Sequence, residues 1–126
     1  MSDVIHKVSA LPKTWILDLD GTVVKHNGYK TDGEDSFLPG AREFLQGIPE
    51  QDMVVFLTSR TEEYREQTIQ FLSKHKIRYH EIVFNAPYGE RILINDKKPS
   101  GLAMAVAVNT FRDEFMNDVF EVDETL

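Results

Sequence analysis

The chain has 126 residues, of which 41% are hydrophobic, and this length and composition fit one globular domain with a single core. It has no cysteine, no apolar run near the roughly 18 residues needed to span a membrane, and no signal-like start in residues 1–13. We therefore expect one domain over residues 1–126 in the cytoplasm, away from membranes. Fourteen basic and 21 acidic residues give a net charge of −7, which opposes binding to nucleic-acid backbones.

The first predicted strand, Trp15–Leu17, is an apolar run followed at once by Asp18-Leu19-Asp20-Gly21-Thr22. If this run is a buried parallel strand, its carboxyl end lies where open α/β sheets place their ligand crevice. A turn at Gly21 can direct the two carboxylates differently, so that one attacks a phosphorus while the other exchanges protons. Because a phosphoryl dianion repels a carboxylate, this chemistry needs a hard cation such as Mg²⁺ and donors for the phosphate oxygens.

A flap is predicted over residues 23–37, a hairpin-like segment with two glycines and scattered charges. Lys25 and His26 in this segment are candidates to contact a substrate, although each is equally well read as a solvated loop residue. Leu38-Pro39-Gly40 then opens a helix that runs to about Gly47, since proline is favoured in a first helical turn.

The second strand of the predicted sheet, Met53–Leu57, is also apolar and ends in Thr58-Ser59-Arg60. A helix follows from Glu62 to about His75, so Ser59 is either a residue of the site or a helix N-cap. Arg60 is a further candidate to contact substrate, with a surface role as its alternative.

Two more strands are predicted, Glu81–Phe84 and Ile92–Ile94, the latter ending in Asn95-Asp96-Lys97-Lys98-Pro99. Ser100–Met104 is predicted as a short helix and Ala105–Asn109 as an edge strand, with a continued helix as the alternative. The acidic segment 113–126 is expected to be a partly ordered terminus. Alternating strands and helices with right-handed crossovers predict an α/β fold, a doubly wound, Rossmann-like parallel sheet with helices on both faces.

The pattern D-x-D-G-T at Asp18–Thr22 resembles the haloacid dehalogenase superfamily, whose phosphatases carry it at the end of the first strand. The resemblance implies Asp18 as nucleophile and Mg²⁺ ligand, and Asp20 as general acid/base with its carbonyl on the metal. Gly21 and Thr22 are then expected to position the site and bind phosphate. Thr58 matches the family's second motif, in which a hydroxyl and nearby amides bind a phosphoryl oxygen, and Ser59 is expected to assist.

Asp96 lies where the family places its remaining metal-binding carboxylate. The chain departs from the family here, because the usual second acid is absent and Asp96 must act alone. The family's third motif is a cation that balances charge at the phosphate. Arg91 and Lys98 are the candidates for it, and we rank Lys98 slightly higher because Pro99 fixes its position.

Neither interval between the motifs has room for a separate cap domain, and an open site implies a large substrate or a partner subunit that covers it, such as a second copy of the chain. We predict a Mg²⁺-dependent phosphatase for a sugar phosphate or similar small metabolite. The segment 95–101 resembles that of small capless phosphatases associated with capsular polysaccharide formation. The alternatives are a phosphatase for a macromolecular substrate and a non-catalytic regulatory domain that binds Mg²⁺ and phosphate; the acid/base role of Asp20 argues against the second.

Overall fold

The computed structural model describes residues 4–126, so the first three residues of the predicted domain lie outside the described part. The α/β class and the parallel pairing of the strands are confirmed. In chain order the elements are β1 (Ile5–Val8), β2 (Thr14–Leu17), α1 (Gly28–Thr31), α2 (Ala41–Gln46), β3 (Met53–Leu57), a 3₁₀ turn (Glu62–Tyr64), α3 (Arg65–Lys74), β4 (Glu81–Val83) and β5 (Val119–Val122). None of these helices is long and apolar enough to cross a bilayer.

The main sheet has three parallel strands in the order β2-β3-β4. Trp15 of β2 pairs with Val54 of β3, and Ile82 of β4 pairs with Phe56 of β3. The connections between these strands contain α2 and α3 in turn. Because parallel strands end at the same edge of a sheet, the residues that follow β2 and β3 lie side by side at its carboxyl edge.

One face of this sheet forms the core. Val54 and Phe56 alternate along β3 and are fully buried, together with Leu72 of α3. Gln46 at the end of α2 donates a hydrogen bond of 3.0 Å to the His75 carbonyl after α3, so the two helices end together on this face. On the opposite face, Ile16 of β2 is 53% exposed, whereas Val55 of β3 is half-buried.

A second, two-stranded sheet joins the ends of the chain, because β1 and β5 pair in parallel. The Phe120 ring of β5 lies edge-on to the Trp15 ring at 5.0 Å between centroids, and His6 Nε2 lies 2.7 Å from Asp118 Oδ2. The acidic segment that the sequence predicted as a partly ordered terminus thus contributes a strand.

Residues 91–118 contain no regular helix or strand, so three predicted elements are corrected. Ile92 and Ile94 of the predicted fourth strand are 82% and 89% exposed, with no neighbouring strand to complete their hydrogen bonds. The predicted helix Ser100–Met104 and edge strand Ala105–Asn109 are likewise irregular. A turn at Pro99–Ser100 instead brings the Lys98 N–H to 3.0 Å from the Leu102 carbonyl oxygen.

Candidate active site

A tight turn after β2 sets the backbone of the first motif. The Leu19 carbonyl accepts the N–H groups of Val23 and Val24 at 2.9 and 3.1 Å, and the Leu19 side chain is buried. Gly21 has a φ of 80°, a left-handed conformation that favours glycine. The Gly21 N–H is used within the turn, donating to the Val24 carbonyl at 2.7 Å. It is therefore not free to bind phosphate, which differs from the prediction for Gly21.

Asp18 lies at the tip of β2 with a partner on each carboxylate oxygen. Its Oδ2 accepts a hydrogen bond of 3.0 Å from the Thr22 hydroxyl, and its Oδ1 accepts one of 3.1 Å from Arg91 Nη1. The Asp18 side chain is 34% exposed. A carboxylate that is oriented by two donors and open to solvent on one side is suited to attack a bound electrophile.

Arg91 joins the tips of β2 and β3. Besides Asp18, its guanidinium contacts Ser59, with Nη2 at 3.5 Å from Oγ, and the Ser59 hydroxyl lies 3.4 Å from the Pro87 carbonyl. Arg91 itself is 36% exposed in its side chain. Of the two predicted candidates for the cation, the structure thus places Arg91, and not Lys98, against the predicted nucleophile.

Thr58 follows β3 and is fully buried. Its Oγ1 accepts the Arg60 N–H at 3.1 Å, and its own N–H donates to the Val83 carbonyl at 2.9 Å. These bonds fix the backbone at the tip of β3. The predicted phosphate contacts of Thr58 and Ser59 remain predictions, and Ser59 is the more accessible of the two hydroxyl groups.

Arg60 is buried behind the predicted acid, with all five of its N–H donors in use. Nε and Nη2 form a fork on the Asp20 carboxylate at 3.0 Å each. Nη1 and Nη2 form a second fork on Asp35 at 2.9 and 2.7 Å. The second N–H of Nη1 donates a hydrogen bond of 2.9 Å to the Thr68 hydroxyl oxygen. Arg60 therefore has no donor left for a substrate, and the prediction that it contacts substrate is corrected.

Arg60 keeps its positive charge in this buried setting. Burial by itself lowers the pKa of a guanidinium, but the hydrogen bonds to Asp35 and Asp20 outweigh it and raise the pKa above its ordinary value. The Tyr29 ring lies 4.0 Å from the guanidinium carbon, a cation–π contact. Burial also raises the pKa of the Tyr29 hydroxyl, so this ring stays neutral beside the network.

Asp96 and Lys98 lie apart from these groups, because the strand that was expected to carry them to the sheet edge is not formed. Asp96 is exposed, and its described side-chain contact is with Asn95, Oδ1 to Nδ2 at 3.5 Å. Lys98 makes no ion pair with a carboxylate of residues 4–126. Over the same residues, no three His, Cys, Asp or Glu side chains are grouped so that they could hold a metal ion. The predicted convergence of Asp18, Asp20 and Asp96 is therefore absent in this arrangement.

The flap is held at both ends by backbone contacts. Lys25 N–H donates to the Ser36 carbonyl at 3.0 Å, and the Lys25 ammonium pairs with Asp32 at 2.8 Å on the surface. The hydrogen bond from the Lys25 ammonium to Asp32 raises the pKa of Lys25. Lys25 is thus paired within the flap. His26 is half-buried, and its side chain lies next to Gly21 of the first motif.

Asp113 contacts the first-motif turn, a feature that the sequence did not reveal. Its Oδ1 accepts the His26 N–H at 2.7 Å, and its own N–H donates to the Gly21 carbonyl at 2.8 Å. The neighbouring Arg112 side chain packs so closely on Gly21 that an added Cβ would lie 3.1 Å from its Cγ. The sequence gives no local signal for this contact, because residues 112–114 are simply a charged run.

Comparisons with known proteins found one family model and one solved structure similar to this chain. The model of the NLI interacting factor-like phosphatase family matches residues 13–90, the part of the chain that contains Asp18, Asp20 and Arg60. A chain in the structure of the Pnkp1/Rnl/Hen1 RNA repair complex is 31% identical, with a TM-score of 0.51. That alignment covers 68% of the present chain and 29% of the other, so this chain spans under a third of that relative's length. No curated protein matches.

Proposed function

Since the chain belongs to the NLI interacting factor-like phosphatase family, within the haloacid dehalogenase superfamily, we propose that it hydrolyses a phosphomonoester through a phosphoaspartate at Asp18 in a Mg²⁺-dependent reaction. The observation that carries the proposal is the Asp18 carboxylate at the tip of β2. It is oriented by Thr22 and Arg91 and is one-third exposed. Family membership supports phosphatase activity in general, and the covalent route is our proposal.

In the first half of the reaction, a carboxylate oxygen of Asp18 attacks the phosphorus and the bond from phosphorus to the leaving oxygen breaks. Asp20, two residues along the same turn, gives its proton to that leaving oxygen. In the second half, water attacks the phosphorus of the acyl phosphate and Asp20 takes the proton of that water. Inorganic phosphate leaves and Asp18 regains its carboxylate.

The chain's own donors fit a hard cation in type. The first motif supplies carboxylate and carbonyl oxygens, which Mg²⁺ prefers, at Asp18 and Asp20. The Asp18 carboxylate, the Asp20 carbonyl and a phosphate oxygen are enough for an ion that usually keeps several waters. When bound, the ion would neutralise charge on the phosphoryl group. Asp96 remains the proposed third acid, and a role for it requires that residues 91–98 take another arrangement.

The leading substrate class is a small phosphorylated metabolite such as a sugar phosphate, including those used in capsular polysaccharide formation. The net charge of −7 supports this class over a polyanionic substrate. The second candidate is a phosphate at the end of a nucleic acid. It is favoured by one observation, the likeness of this chain to part of a protein in an RNA repair complex.

The test is a panel of phosphorylated compounds assayed for released phosphate with and without Mg²⁺. We expect turnover of small phosphomonoesters that requires the ion, and none in Asp18→Asn, because an amide cannot form the acyl phosphate. Thr125→Ala is the surface control, because Thr125 is exposed near the C-terminus and is not one of the site residues. Full activity in Asp18→Asn would refute the covalent route.

The same panel separates the alternatives. Turnover restricted to oligonucleotides with a terminal phosphate would favour the macromolecular substrate. Binding of phosphate without release of product from any compound would favour a non-catalytic domain.

A further inference from the structure

We infer that Arg60 is a positioning residue for Asp20, and that through Asp35 it couples the orientation of this acid to the flap of residues 23–37. The inference rests on the proposed function, in which Asp20 exchanges protons with the leaving group and with water. Neither the family match nor the likeness to the RNA repair protein assigns a role to Arg60.

The fork between Arg60 and Asp20 fixes the plane of the carboxylate and leaves it able to carry a proton. Each Asp20 oxygen accepts one bond of 3.0 Å from the guanidinium. A carboxylate offers about four acceptor positions, so about two remain for a proton and for a second partner. The Asp20 side chain is 16% exposed whereas that of Arg60 is 1% exposed, so the acid faces the crevice and its anchor lies inside.

Arg60 is itself held from several directions. The Thr68 hydroxyl of α3 accepts from Nη1 at 2.9 Å and donates to the Tyr64 carbonyl at 2.7 Å, so this hydroxyl has a fixed orientation. The backbone N–H of Arg60 donates a hydrogen bond to the Thr58 hydroxyl oxygen. With every donor engaged, the guanidinium cannot rotate without breaking several hydrogen bonds, and the plane of Asp20 follows from it.

The flap supplies the other half of the support. Asp35, near the end of the flap, is 2% exposed in its side chain and takes two hydrogen bonds from the guanidinium. Tyr29, from α1 within the flap, packs its ring on the same group and against the Tyr64 ring. A displacement of the flap would remove both contacts, so the geometry of Asp20 depends on the flap being in place.

Arginine is required for this arrangement, because its planar fork can satisfy two carboxylates at once. Lysine keeps the charge but carries three donors on a single nitrogen and cannot form two forks. Arg60→Lys is therefore the informative variant, since it preserves charge balance with Asp35 while releasing Asp20 from its fixed plane.

The experiment compares an aryl phosphate, whose phenol leaves readily, with an alkyl phosphate that needs a proton from an acid. For Arg60→Lys we expect kcat on the alkyl phosphate to fall at least tenfold more than kcat on the aryl phosphate, with little change in KM. Asp20→Asn should give the same selective loss. The double variant should be no slower than Asp20→Asn alone, because the two residues act as one unit.

The matched control is Arg65→Lys. Arg65 also forms a fork on a carboxylate, with Glu62 at 2.6 and 2.7 Å, but this pair is about half exposed and lies on the helix surface. Its replacement should leave both rates unchanged. Urea unfolding of every variant verifies that the assayed protein is folded.

If Arg60→Lys does not fold, Asp35→Asn takes its place, since it weakens the flap side of the network and keeps the fork on Asp20. It should lose kcat on the alkyl phosphate several-fold more than on the aryl phosphate. Equal losses on both substrates in these variants, with a selective loss in Asp20→Asn, would overturn the positioning role alone. Equal losses in Asp20→Asn would instead refute the acid role on which the inference rests.

Discussion

Removal of the Arg91 guanidinium should weaken catalysis strongly, because a cation 3.1 Å from the Asp18 carboxylate also lies beside the phosphoryl group that Asp18 is proposed to attack. Two unit charges at that distance attract by about 1 kcal/mol in water and about 5 kcal/mol at an effective dielectric constant of 20. Both side chains are about one-third exposed, so solvent screening reduces the larger figure. We expect Arg91→Ala to cost about 2–3 kcal/mol of transition-state stabilisation, a loss in kcat/KM of about a hundredfold.

The rival cation from the sequence is Lys98, and Lys98→Ala serves as the comparison. Lys98 has no carboxylate partner within the described chain, so its replacement should change kcat/KM by less than about threefold. Both variants are assayed on one phosphomonoester at two ionic strengths. The loss in Arg91→Ala should shrink at high salt, because the wild-type contact is partly screened there.

The reasoning fails if the order is reversed. A large loss in Lys98→Ala with near-normal kinetics in Arg91→Ala would mean that residues 91–98 take a different arrangement during turnover. In that case the sequence-based ranking of Lys98 would be right, and the contact between Arg91 and Asp18 would be incidental.

Three further predictions concern the frame around the site. Asp52→Ala should lower the free energy of unfolding in urea by about 2–3 kcal/mol, because the buried Asp52 carboxylate accepts the Trp15 indole N–H at 2.9 Å and a backbone N–H. Phe56→Ala should lower it by about 3–5 kcal/mol, since Phe56 is fully buried in the central strand. Asp113→Ala should reduce kcat/KM several-fold with a smaller effect on urea unfolding, as it removes the carboxylate oxygen that accepts the His26 N–H at 2.7 Å beside the first-motif turn; unchanged kinetics would show that this contact does not support the motif.

The strand tips of the site were predictable because their signals are local. An apolar run followed by polar residues identifies the end of a strand, and both β2 and β3 follow that pattern. The acidic pair after β2 then follows from a spacing of two residues in one turn. The same reasoning could not decide the fourth strand, since an apolar run of three residues does not reveal whether a neighbouring strand pairs with it.

The partners of Arg60 illustrate what the sequence leaves open. An arginine just beyond a strand tip is usually exposed, so we expected a contact with substrate. Its actual partners lie 25 and 40 positions earlier in the chain, at Asp35 and Asp20. The pairing of β1 with β5 joins segments that are still further apart. Such contacts depend on the tertiary fold, and neither periodicity nor a motif encodes them.

The two acids of the first motif differ chiefly in the arginine that each one meets. Asp18 pairs with Arg91, which is about one-third exposed and contacts it through a single hydrogen bond. A cation that is partly exposed in this way is accessible to an incoming phosphoryl oxygen. Asp20 meets Arg60, whose donors are all committed and whose position the core and the flap determine. One turn of the chain thus places one carboxylate beside a partly exposed arginine and the other beside a buried arginine whose donors are all in use, which agrees with the proposed roles of nucleophile and proton-transfer group.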